Sequence, residues 1–241
     1  MSRQHFDIGK DVSNPNLSAA ATEYAGNMGL IRPNRIQHAL VNYSQAKQIA
    51  QDYEAAPSFD KAAIPSFKAF GQETERQFDF LTKPKAQGGL GINVEVSETD
   101  PYKRARDMME DIRHNARLRV LSTASTGGHP YLTNDQNDMF RAVHDAFGHA
   151  AVGRGFDPHG EEAAYRSHSS MFSPLARGAM TTETRGQNSA LNFGSDPGKF
   201  VEQKVALLSP RSGLITPIGR RAAFQQSMLD AKKAHTRAFG E

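Results

Sequence analysis

The stretch Phe140-Arg141-Ala142-Val143-His144-Asp145-Ala146-Phe147-Gly148-His149 constrains the chain most, because an apolar, helix-forming run carries two histidines, an acid and a glycine within six residues. Neutral imidazole is the commonest protein metal ligand, so two of them on one helix suggest a metal centre. The bland reading makes one histidine a hydrogen-bonded core residue and the other a surface or capping residue. On a regular helix, positions i and i+5 sit about 140 degrees apart, whereas i and i+4 sit about 40 degrees apart. His144 and His149 therefore meet at one ion only if the helix is loosened, and Gly148 supplies that latitude.

The chain has no cysteine, which leaves His, Asp and Glu to hold any metal. A zinc protease of the HExxH type needs a shorter spacing and a glutamate beside its first histidine, where this chain has Asp145. Two histidines and one carboxylate with open coordination positions suit a mononuclear non-haem iron(II) centre instead. Three acids are candidates for the third ligand: Glu161, Glu162 and Glu183. The first two open a helix, where the positive helix end already favours acids. Glu183 lies in the polar segment Met180-Thr181-Thr182-Glu183-Thr184, with Arg185 as a ready ion-pair partner. His168 is either a group behind the ligands, a fourth ligand or an exposed helix residue. Spacing alone leaves the choice open.

At 241 residues the chain can bury a full core, and its pattern reads as one mainly α-helical domain with a short two-stranded β element. Residues 1 to 16 read as a mobile lead and 17 to 241 as the metal-binding domain, with Ser18 capping the first helix. Apolar periodicity predicts helices from Asn34 to Tyr53, from Ser58 to about Leu81 with interruptions at Pro65 and Gly71, and from Pro101 to about Asn115. Between the last of these elements and its neighbours, Ile92 to Val96 and Leu118 to Leu121 read as a strand pair. Thr133 or Asn134 caps the histidine helix, which ends near Gly153 or Gly155. Further helices are expected from Glu161, over Arg177 to Gln187, over Pro197 to Leu208 and from Pro217 to about Ala238.

In its order of motifs, the chain resembles the catalytic domain of the pterin-dependent aromatic amino acid hydroxylases. Their H-[DE]-x-x-G-H motif is matched by His144-Asp145-Ala146-Phe147-Gly148-His149. Leu118-Arg119-Val120-Leu121-Ser122-Thr123 and His129-Pro130-Tyr131-Leu132-Thr133 are similar to their upstream segments, and Leu175 to Glu183 to the segment bearing their third ligand. Val205-Ala206-Leu207-Leu208-Ser209 is similar to a later element, so the likeness covers about residues 117 to 210. The chain departs from the family in having no tryptophan and a shorter interval from His149 to Glu183. The resemblance implies a hydroxylase-like fold, Fe(II) held by His144, His149 and Glu183, and a reduced pterin as cofactor. It also implies a role beside the ligands for Asp145 and a substrate-pocket role for Thr133.

The expectation is thus an iron-dependent monooxygenase acting on a small molecule, with Arg185, Gln187 and Asn188 offering polar contacts. Two rivals stand beside it. One is a zinc or manganese hydrolase using His144 and His149 with Glu161 or Glu162, and the other is a non-enzymatic interaction protein that uses the histidine helix for packing. Lys and Arg are interspersed with Asp and Glu and the formal charge is only +3, so nucleic acid is not indicated. No run approaches the ~18 apolar residues of a membrane helix. The N-terminus lacks the apolar core of a secretory signal, which makes a cytoplasmic location the expectation.

Overall fold

The computed structural model describes residues 13–33 and 35–214, and it is mainly helical with one two-stranded parallel sheet. In order, the elements are α1 (Pro15–Asn27), α2 (Tyr43–Ala55), α3 (Ile64–Thr82), β1 (Asn93–Ser97), α4 (Ala105–Asn115), β2 (Arg117–Leu121), α5 (Asn134–His144), α6 (Pro158–Ser169), α7 (Pro174–Met180) and α8 (Gln187–Phe193). Two π-helical turns, Asp145–Ala150 and Thr181–Gly186, directly continue α5 and α7. The expected helix over 217 to 238 and the first twelve residues of the lead lie outside the described residues.

Helix α3 is the central strut and packs against both α5 and α7. Its apolar positions bury Phe67 and Phe70, which join Phe140, Phe147 and Phe172 in one apolar cluster. Pro65 sits in the first helical turn, where its missing N–H costs nothing, so it starts the helix rather than breaking it. Gly71 lies within the helix because α5 comes close: a Cβ there would sit 3.2 Å from Gln136 Nε2 and 3.4 Å from Leu132 Cδ2.

Strands β1 and β2 are the expected pair, joined by α4 and therefore parallel, with Val94 opposite Leu118 and Val96 opposite Val120. Helix α4 begins four residues later than Pro101. Asp100 instead closes a turn by accepting from the Tyr102 amide, and the Tyr102 hydroxyl donates to Asp111 Oδ2 at 2.8 Å.

Other boundaries move for similar reasons. Asn14, not Ser18, caps α1 and accepts from the amides of Asn16 and Leu17. The stretch from 34 to 53 does not form one helix: a short 3-10 turn at Ile36–His38 precedes an extended piece, and Asn42 then caps α2. Buried Arg154 donates to the carbonyls of Gln37 and Ala39, and Val41 N–H donates to His159 Nδ1, so tertiary hydrogen bonds replace helical ones. Residues 197 to 208 form no helix either. Val205 pairs with Phe59 in an isolated parallel bridge, and the buried Lys204 ammonium donates to the Glu54 and Ala56 carbonyls at the end of α2.

Asp111 ties α4 to the sheet by accepting from Tyr102, Asn115 and Arg117. Burial alone would raise its carboxyl, but the Arg117 donor and its partners outweigh that and hold it at about 2. A depressed carboxyl stabilises the fold above its ordinary range near pH 4, and that contribution is lost as pH falls toward about 2. Chemical denaturation should show wild type weakening through this window. Asp111→Asn should be less stable at neutral pH by about 1–3 kcal/mol and should lack this part of the slope.

Candidate metal centre

The histidine helix starts at a capping box in which Thr133 accepts from the Gln136 amide and Gln136 accepts from the Thr133 amide. Where α5 passes into the Asp145–Ala150 turn, hydrogen bonding widens from i→i+4 to i→i+5. A wider turn brings residue i+5 back over residue i, and the rings of His144 and His149 stand 5.2 Å apart at right angles. Gly148 is needed here because α6 packs on this turn. A Cβ at 148 would meet the Ala164 side chain at 3.2 Å and His144 Nδ1 at 3.3 Å.

The turn after Gly153, which has a φ of 69°, leads into α6, capped by Asp157 with Pro158 in its first turn. Gly160 follows so close to Gly155 that a Cβ would collide with the Gly155 carbonyl. The next residue is Glu161, whose carboxylate lies 3.5 Å from His149 Nε2 and 3.9 Å from His144 Nε2. One ligand atom from each of His144, His149 and Glu161 lies within 4.8 Å of the other two. Bonds of about 2.0–2.2 Å to one ion hold neighbouring ligand atoms roughly 3–3.5 Å apart, so the group fits a metal after small side-chain rotations.

Each imidazole has a second polar contact on its far side. His149 Nδ1 is 3.1 Å from the Arg154 carbonyl, and His144 Nδ1 is 3.3 Å from His168 Nδ1. Burial disfavours charge on His149, yet Glu161, Asp145 and the Arg154 carbonyl together push it up to about 9. Burial likewise disfavours the charged Glu161, but the charge of His149 and the nearby His144 hold its carboxyl well below the usual range. His168 is held well below the histidine range by burial and by the neighbouring His144 and His149. Asp145, half-buried, is raised by burial against the pull of His149 and His144, with Glu161 adding to the rise. Exposed Phe156 covers the His149 ring at 5.0 Å between centroids.

Glu183, the preferred third ligand, lies elsewhere. Its Oε1 is 3.1 Å from His129 Nε2, with both side chains buried, while His129 Nδ1 accepts from the amides of Tyr131 and Leu132. The alternate Glu161 stands with the histidines instead. Glu162 points about 100 degrees away around α6, where its carboxylate accepts from Arg166 Nε and from Arg185 Nε and Nη2. Arg185 also donates to the carbonyls of Ser212 and Leu214 and to Gln45 Oε1, so all five N–H groups are used and none is left for a substrate. Thr133 is an exposed helix cap rather than a pocket residue. A crevice of about 10 Å³ lies between Glu161, Glu162, Arg185 and Asn188, too small for more than a single water.

Sequence reasoning passed over Gln77, the Arg154 carbonyl, Phe156 and the His129–Glu183 pair. Gln77 and Glu183 acquire their partners from distant elements, while Arg154 and Phe156 meet His149 across the turn that follows it. What the fold and the site define is a mainly helical protein with a partly buried His–His–Glu group at the junction of α5 and α6. Comparisons with protein-family models, with curated proteins and with solved structures find no match for the chain.

Two substitutions separate structural from metal-binding roles. Thr133→Ala should cost about 1 kcal/mol in urea denaturation, as for other lost caps, and should leave metal content unaltered. Arg185→Met removes one partner from a buried ion pair and should cost about 3 kcal/mol by the same measurement.

Proposed function

We propose that the chain is a non-haem iron(II) monooxygenase whose metal is held by His144, His149 and Glu161. The observation that carries this reading is the convergence of two imidazoles and one carboxylate, His144, His149 and Glu161. Further support comes from the polar contact behind each imidazole, an arrangement that orients ligands in metal sites, and from the H-[DE]-x-x-G-H resemblance. Glu161 takes the ligand place that the resemblance assigns to Glu183. Bound iron(II) would supply activation of dioxygen for transfer of one oxygen atom to a small-molecule substrate. The three protein ligands would occupy one side of the ion and leave the other positions open. Phe156 would shield His149 from water. A reduced pterin is the electron donor that the resemblance implies, and this reading assigns no residue to it.

A metal-dependent hydrolase is the second reading, favoured by the position of Asp145. Its raised carboxyl beside the histidines suits a general base, whereas Glu162 is committed to two arginines. Metal identity and oxygen dependence decide between the two. After anaerobic reconstitution, wild type and Glu183→Gln should each hold one iron per chain, and Glu161→Gln should hold none. Wild type without any first-row metal, or Glu161→Gln that retains it, would sink the proposed centre. Zinc or manganese with oxygen-independent turnover would favour the hydrolase.

A further inference from the structure

We infer that Gln77 and His168 are positioning residues that hold His144 in the tautomer leaving its Nε2 lone pair directed at Glu161. The inference deepens the proposed metal centre and rests on it. It follows from the direction of a hydrogen-bond chain that begins at a group with only one possible role.

The Met171 carbonyl can only accept. Gln77 Nε2 lies 3.3 Å from it, so the amide of Gln77 must turn its NH2 toward Met171 and its oxygen the other way. Gln77 Oε1 then faces His168 Nε2 at 2.7 Å, and since a carbonyl oxygen cannot donate, His168 Nε2 carries the hydrogen. His168 is fully buried between the rings of Phe140, at 5.9 Å, and Phe172, at 4.9 Å. In those apolar surroundings the ring is neutral, so Nδ1 is left as an acceptor. Its neighbour at 3.3 Å is His144 Nδ1, which must therefore donate. A neutral His144 with hydrogen on Nδ1 has its lone pair on Nε2, the atom 3.9 Å from Glu161 Oε2.

On the far side of the centre, His149 Nδ1 donates to the Arg154 carbonyl, so Nε2 is again the ring atom turned toward Glu161. Both histidines are thus prepared at the same ring atom, one by a backbone carbonyl and the other by a chain that reaches into α3. Gln77 has no exposure at all, and a fully buried amide is costly unless paired. A core hydrogen bond alone would explain the pairing. Its direction toward His144 requires the further role.

The full-length chain with 15N-labelled imidazoles, read by long-range 1H–15N correlation spectra without metal, should show His144 protonated at Nδ1 and His168 at Nε2. Titration with Co(II) should then give an affinity 10–100-fold weaker for Gln77→Met than for wild type, the usual loss when the partner behind a ligand is removed. Thr74→Val, a buried change on the same helix with no link in the chain, should keep both the wild-type spectrum and the wild-type affinity. If Gln77→Met does not fold, the wild-type spectrum decides: hydrogen on Nδ1 of His144 supports the inference, and hydrogen on Nε2 overturns it. Wild-type binding of Co(II) with an unchanged Gln77→Met affinity overturns this inference alone. No Co(II) bound by wild type overturns the metal centre and the positioning role together.

Discussion

The seating of α6 depends on the buried carboxylate of Glu162. A carboxylate removed from water is tolerated only when it is paired and hydrogen-bonded, and Glu162 meets that condition with Arg166 from its own helix and Arg185 from the Thr181–Gly186 turn. Arg185 in turn reaches Gln45 on α2 and the carbonyls of Ser212 and Leu214, so one guanidinium joins four parts of the chain. With Glu162 held in that direction, the adjacent Glu161 faces the opposite shoulder of α6 and meets His144 and His149. The acid that takes part in the candidate site is placed by the acid that does not.

The two π-helical turns solve a related problem. Such a turn loosens the regular backbone ladder and leaves carbonyls that need other donors. Around Asp145–Ala150, the Ser167 hydroxyl donates to the Phe147 carbonyl. Around Thr181–Gly186, the hydroxyls of Thr181 and Thr184 donate to the carbonyls four residues earlier, and that of Thr182 reaches Ala206. The threonines of this segment thus supply donors to the carbonyls of the preceding helix and of Ala206. The compensation lets one turn align two histidines five residues apart and lets the other direct Arg185 and Glu183 to different buried partners.

Much of the helical framework was legible because local signals agreed. The apolar stripe of α3 and the cap at Thr133 combine periodicity with end chemistry and form where expected, whereas α6 starts at Pro158, three residues before the expected Glu161. The strand pair was legible from alternation and from the helix between its members. Expectations moved where a distant donor competed with the local pattern, as Arg154 does at Gln37 and Ala39, and as Val205 does by bridging to Phe59. The preference for Glu183 had a similar origin. Its segment offered no local reason for a buried acid, and the reason turned out to be His129, 54 positions away.

The sequence by itself determined that any metal here would be held by imidazole and carboxylate, because no thiolate exists, and that two histidines five apart need a loosened helix with glycine beside them. It also offered Thr133 as a cap for the histidine helix, since capping acts within one turn of backbone. Only the tertiary structure decided which carboxylate stands with His144 and His149, and which way each imidazole is turned. Adjacent acids on a helix point about 100 degrees apart, so the choice between Glu161 and Glu162 depends on what packs against each side. The orientation of His144 is set by Gln77, on a helix more than sixty residues earlier in the chain, through contacts that exist only once α3, α5 and α6 have packed together.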